Sequence, residues 1–199
     1  MNTVKATITG TSPLIMHNGR MANPLDKHAI RLREFTSIRK KTDQDYMNLL
    51  EVEFMGSLYY DKSVGVYIPG DNIEAMVRDG AKLKKRGASV QRGVSCVEDR
   101  IAFTYSGPRD PQTLWDTEDF RDIRNVKNGS TGGKTLRCRP IFREWSLTFT
   151  LAYESEQINE RDLLQCLADA GQYIGLGDYR PGSPKGGRYG RFEVSKWES

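Results

Sequence analysis

Histidine and cysteine are scarce, with two of the first and three of the second in 199 residues. Cys96, Cys138 and Cys166 are odd in number, far apart and form no CxxC pair. That spacing supports neither a disulfide framework nor a structural zinc site. With only His17 and His28 to draw on, a histidine-based metal centre is not expected, and no cofactor is. Long apolar runs are missing as well, since nothing approaches the roughly 18–20 residues of a membrane span. The first residues alternate polar and apolar, unlike a secretory leader. The expectations are a cytoplasmic protein with no membrane partner. A large charge excess is also absent: the net charge is +4. Affinity for a polyanion would then depend on where the cations sit rather than on their total.

What is present is enough for one sizeable domain, because 37% hydrophobic residues over 199 positions can fill a core. Asn2 to Thr9 alternates and reads as a half-buried strand. His28 to Lys41 is a very basic helical candidate, and Thr42 opens a helix with Tyr46, Leu49, Leu50 and Phe54 inward. Ser57 to Ile68 reads as a hairpin. After Pro69-Gly70, Asp71 or Asn72 can cap a helix whose apolar stripe is Ile73, Met76, Val77 and Leu83. Val97 to Tyr105 is a strand, and Pro111 to Phe120 is irregular. Phe120 to Arg139 alternates on both sides of a flexible Asn-Gly-Ser-Thr-Gly-Gly tip, a long hairpin. Trp145 to Tyr153 is a strand. Asn159 to Tyr173 is a helix with Leu163, Leu164, Leu167 and Ala168 inward, and a last strand begins at Arg191.

Without insertions the order is strand, helix, strand, strand, helix, strand. That is an α+β, ferredoxin-like βαββαβ unit, shared with RNA-recognition modules (RRM-like). The expectation is a single domain, 1–199, with a large insertion at about 11–69 after the first strand. A hairpin insertion at about 120–139 lies between the middle strands.

Gly175 to Phe192 is the most distinctive stretch, with six glycines, two prolines and four basic residues in eighteen positions. On composition alone it is a flexible, cationic surface connection. As a binding loop, Arg180, Lys185, Arg188 and Arg191 would pair with phosphates, and Tyr179 and Tyr189 would stack on bases or pack on the protein itself. Two other basic surfaces read either as solvated faces or as phosphate contacts. One is the helix face with Arg78 and Lys82; the other is the hairpin with Arg124, Lys127, Lys134 and Arg137. His17 and Arg20, after the first strand, complete the candidates for nucleic-acid contact.

The closing pattern Gly175-x-Gly177, a basic spacer, then Gly187-x-x-Gly190-x-Phe192, resembles the glycine-rich signature of the RAMP superfamily, the ferredoxin-like RNA-binding proteins of CRISPR systems. Tyr67-Ile68-Pro69-Gly70-Asp71-Asn72-Ile73 followed by Arg78 is similar to that superfamily's helix entry. Ile8-Thr9-Gly10 with Ser12-Pro13-Leu14-Ile15-Met16-His17 is similar to its first strand and continuation. The nearest likeness is to backbone-forming effector subunits with palm, thumb and finger, and a stand-alone, phage or mobile-element relative fits as well. Asp71-Asn72 and Glu74-Ala75 depart from the usual Ser-Ser or Ser-Thr and Lys-Gly. The resemblance implies binding of single-stranded RNA or DNA, RNA preferred, without chemistry. Subunits would form a head-to-tail filament or a ribonucleoprotein with other RAMP-type subunits. Phe120–Arg139 stands where the thumb would be.

Two other functions follow from the same residues. The resemblance also allows an endoribonuclease, with His17 as general acid/base, or a divalent cation at Asp26, a loop aspartate similar to one that cuts target RNA in some backbone subunits. Equally, His17 is a polar contact or an RNA ligand, and Asp26 pairs with Lys27 or Arg20 or meets water. The third function is a protein-interaction module mimicking a CRISPR subunit.

Overall fold

The first strand, β1 (Asn2–Gly10), buries Val4, Ala6 and Ile8 and exposes Thr3 and Lys5, as its alternation dictates. The computed structural model describes residues 1–127 and 132–199. After β1 come β2 (Leu14–Ile15), α1 (Lys27–Ser37), α2 (Asp43–Ser57), β3 (Tyr60–Asp61) and β4 (Gly65–Pro69). The middle of the chain holds α3 (Gly70–Lys82), α4 (Gly87–Gly93), β5 (Val94–Cys96), β6 (Arg100–Tyr105) and α5 (Pro111–Asp116). Last are β7 (Arg121–Lys127), β8 (Lys134–Phe142), β9 (Trp145–Tyr153), α6 (Glu160–Asp169) and β10 (Phe192–Glu198). Among the described residues no helix is long and apolar enough to cross a membrane. The chain divides into two compact units.

The first unit comprises residues 1–14, 60–106 and 142–199. Its sheet runs β10-β1-β9-β6-β4-β3, with β5 added against β9. The pairs β1–β10, β1–β9, β6–β9 and β4–β6 are all antiparallel. Traced along the chain, β1, α3, β6, β9, α6 and β10 form a βαββαβ unit, and β10-β1-β9-β6 is the strand order of the ferredoxin-like fold. The hairpin β3–β4 extends the sheet at one edge. α3 buries Ile73, Met76, Val77 and Ala81. A Cβ on Gly80 would lie 2.5 Å from the Cys166 carbonyl of α6, so the two helices cross backbone to backbone. Asn159 caps α6, accepting from the Asp162 N–H at 2.9 Å. Trp197 Nε1 donates to Glu160 at 2.9 Å and ties β10 to that helix. Phe103, Leu147, Phe149 and Leu151 fill the core.

The side chains alternating onto the opposite face of β1, β9 and β6 are mostly small or polar and include no aromatic ring: Thr3, Lys5, Thr7 and Thr9, Ser146, Thr148 and Thr150, Arg100, Ala102 and Thr104. Thr7 and Thr148 share a hydrogen bond of 3.0 Å, and Thr9 donates to Ser195 at 2.9 Å. RNA-recognition modules place base-stacking aromatics on that face. The central strands here carry none, so the likeness to those modules ends at topology.

The second unit comprises residues 15–59 and 107–141. α2 opens on a reciprocal capping box between Thr42 and Asp45 and buries Leu49, Leu50, Val52 and Phe54. Phe54 meets the Trp115 ring edge-on at 5.5 Å. β7 and β8 pair antiparallel without a shift from Arg121↔Pro140 to Lys127↔Lys134. β8 also lies beside the short β2.

Several expectations are corrected. α1 starts at Lys27 and ends at Ser37, where Lys41 Nζ donates to the carbonyls of Thr36 and Ile38. α3 begins at Gly70 rather than at a side-chain cap, because a Cβ there would sit 2.4 Å from the Glu98 carbonyl. Leu83, Tyr46 and Ala168, expected inward, are exposed. Residues 111–116, expected to be irregular, form α5 because Asp110 caps it and Pro111 suits the first helical turn. The strand expected from Val97 begins at Arg100. The hairpin tip, residues 128–131, lies outside the described residues.

Candidate nucleic-acid interface

The glycine-rich stretch is a folded loop held by its own backbone. α6 runs into a single π-helical turn, Ala170–Ile174, closed by the Gly175 N–H donating to the Ala170 carbonyl at 2.8 Å. Gly175, Gly177, Gly186 and Gly190 all have positive φ, between 64° and 78°. Leu176 N–H donates to Gly190 O at 2.9 Å, and Tyr189 N–H to Tyr179 O at 3.2 Å, which folds the loop into a short ladder. Gly190 N–H reaches Pro13 O at 2.8 Å. A Cβ on Gly187 or Gly190 would stand 1.7 Å from the carbonyl of Tyr179 or Leu176. Those positions need glycine for close approach, not for mobility. Tyr179 itself adopts φ +50°, a conformation that costs roughly 1–2 kcal/mol in a residue with a Cβ.

Within this frame the four cations divide. Arg180 is half-buried and donates to Gly177 O at 2.9 Å. Arg191, also half-buried, donates to Gln172 O. Both hold the loop in shape while keeping further N–H groups of the guanidinium fork. Lys185 and Arg188 are exposed. The Arg188 guanidinium lies over the half-buried Tyr189 ring, 5.4 Å from its centroid.

The cations at the end of α3 and in the turn after it are mostly paired. Lys82 pairs with Asp79 at 2.7 Å, Lys84 with Asp169 at 2.9 Å, and Arg86 with Asp162. Arg78 is half-buried and makes no side-chain hydrogen bond or ion pair among the described residues.

In the second unit most of the expected contacts have other work. Arg20 donates through Nε to Gly56 O at 2.9 Å and through Nη2 to Met55 O and Leu58 O at 3.0 and 2.6 Å. It satisfies carbonyls at the end of α2, a place that favours a cation. Asp26 is the cap of α1, accepting from His28 N–H at 2.8 Å. Arg124 forks onto Asp122, with Nε at 2.6 Å. Arg137 donates to Glu53 at 2.9 Å. Lys134 is exposed. Lys127 ends β7 opposite it.

Glu53 escaped the sequence reading. It is only 3% exposed, and its second oxygen accepts from the Cys138 backbone N–H at 2.8 Å. Burial raises its pKa, against the pull of the Cys138 N–H and of Arg137 and Arg139. A glutamate between Val52 and Phe54 on a buried helix face was the one signal of it in sequence. His17 has its pKa lowered to about 4 by desolvation and then by Arg139 and Arg137. Its residue surface is exposed, so the two arginine charges are what secure the direction. The thiols of Cys96 and Cys138 are pushed up to about 12, chiefly by burial, so the thiolate form is disfavoured. Among the described residues no cluster of His, Cys, Asp or Glu is able to hold a metal ion.

The chain matches no protein-family model and no curated protein. It is similar to a chain in the cryo-EM structure of the Type III-B Cmr-beta bound to cognate target RNA, at a TM-score of 0.48 and 15% sequence identity. The likeness covers 98% of this chain and 59% of that one. At that level it assigns nothing by itself, and the strand order of the first unit is what carries the fold.

Proposed function

We propose that the chain binds single-stranded nucleic acid without cutting it. The observation that carries this reading is the glycine loop. Its backbone is closed on itself, with two exposed cations, Lys185 and Arg188, the second laid over Tyr189. A rigid loop with cations and an aromatic ring suits a strand whose phosphates and unstacked bases are both accessible. Arg78 and the unspent N–H groups of Arg180 and Arg191 would add contacts in the same unit. In the second unit the exposed Lys134 would do so. RNA over DNA, and subunits repeating along the strand, are what the family resemblance adds. Little base preference is expected, because stacking and phosphate contacts tolerate any base.

The test is fluorescence anisotropy with labelled 20-nucleotide homopolymers of RNA and DNA at low and high salt. Saturable binding that weakens steeply with salt is the expected result. No binding to either polymer at low salt overturns the proposal.

A further inference from the structure

β7 is the outer strand of its sheet, and among the described residues no further strand pairs with it. The other outer strands are blunted. β10 shifts register against β1 between Thr7 and Ile8 and carries Glu193, Lys196 and Glu198, and β3 is two residues long. Bulges, charges and brevity are ordinary ways to stop edge-to-edge pairing. β7 is neither bulged nor short: it is seven residues long, in unbroken register with β8, without proline, and the charges it carries are of both signs. At its third position Ile123 is 45% exposed, an apolar β-branched side chain on an open edge.

We propose that β7 pairs antiparallel with β7 of a second copy about a two-fold axis through Ile123. Charge selects this register. With Ile123 opposite itself, Asp122 of each copy lies opposite Arg124 of the other, and Arg121 lies opposite Asn125. Moved by one residue to centre on Arg124, the same pairing sets Arg124 against Arg124 and Arg121 against Lys127, which repels. An extended edge of alternating N–H and C=O groups is matched by another strand, whereas phosphates offer acceptors alone. Such a contact is isologous and closes after two copies. It is therefore distinct from subunits repeating along a nucleic-acid strand, and it does not depend on the glycine loop.

The test is Ile123→Cys in the full chain, freed of nucleic acid by nuclease and oxidised. Facing Cα atoms of an antiparallel pair are about 4.5 or 5.5 Å apart, within the roughly 4.4–6.8 Å that a disulfide spans. A disulfide-linked dimer is expected. The native chain, whose Cys138 and Cys166 are buried and Cys96 half-buried, is the control and forms none. Asn125→Cys alone does not cross-link, but mixed with Arg121→Cys it does. In sedimentation velocity the native chain dimerises. Asp122→Arg weakens the dimer at least tenfold, and Asp122→Arg with Arg124→Asp restores it, circular dichroism showing each variant folded. A native chain that stays monomeric, or that is monomeric and takes up a polyglutamate peptide instead, overturns the proposal. So does a dimer in which Ile123→Cys forms no bridge.

Discussion

Glu53 accepts from the backbone N–H of Cys138 at 2.8 Å through one oxygen and from Arg137 at 2.9 Å through the other. β2 is only two residues long, and the Met16 N–H still reaches the Pro140 carbonyl at 3.0 Å. Beyond that point a side chain from α2 supplies the acceptor that a longer strand would have given β8. Glu53→Ala leaves that buried N–H and a half-buried guanidinium without their acceptor, at a cost of about 3 kcal/mol. Glu53→Gln keeps one acceptor and is expected to cost less. Urea-unfolding midpoints of the three proteins check the order.

His17 predicts a slope in stability with pH. Its folded pKa, about 4, lies below the ordinary value near 6.5. Between those limits the unfolded chain binds more protons, so its contribution is complete above about pH 6.5 and is lost as pH falls toward 4. Glu53, with its pKa raised, acts in the opposite sense, its contribution falling as pH rises through its folded value. His17→Asn should remove the first component alone. Unfolding free energies of native and variant protein, measured from pH 7 to 4, should converge on acidification. Labelled RNA incubated with either protein, with and without Mg²⁺, should stay intact.

Glycines in the loop should rank by the space beside them. Gly187→Ala and Gly190→Ala place a Cβ 1.7 Å from a carbonyl oxygen and should each cost about 2–3 kcal/mol. Gly186→Ala meets open space and bears only its φ of +64°, for about 1 kcal/mol. Thermal unfolding reads the ranking, and RNA affinity should fall in the same order.

Arg188 and Arg20 separate binding from architecture. Arg188→Ala should lower the slope of log affinity against log salt by about 0.7 for one lost phosphate contact, with stability unchanged. Arg20→Ala should leave that slope alone and destabilise the protein by about 2 kcal/mol, since three carbonyls lose a charged donor. A salt titration of anisotropy beside urea unfolding checks both.

The βαββαβ order was legible because β1, β9 and the two crossover helices carry clean periodicity and caps, such as Asn159 on α6. α5 was not, because a six-residue helix rests on one cap, Asp110, and on Pro111 rather than on a repeat. The glycine pattern pointed to the right loop but not to its rigidity, which depends on carbonyls of Leu176 and Tyr179 approaching from elsewhere in the same loop. Charge was the least readable property. Arg20, Arg124 and Arg137 look free in sequence, yet each is matched by carbonyls or a carboxylate that only the fold brings near.

β1 sits between β9 and β10, so the opening strand of the chain finds its neighbours only among residues 145–198. On a ribosome, β1 emerges long before either partner exists, and both of its edges stay unpaired while more than two thirds of the chain is made. Its burial therefore waits for the last strand. The first unit should close late and slowly, as expected for pairing between distant segments. Truncation before β10 would leave β1 with a bare edge and a chain prone to self-association.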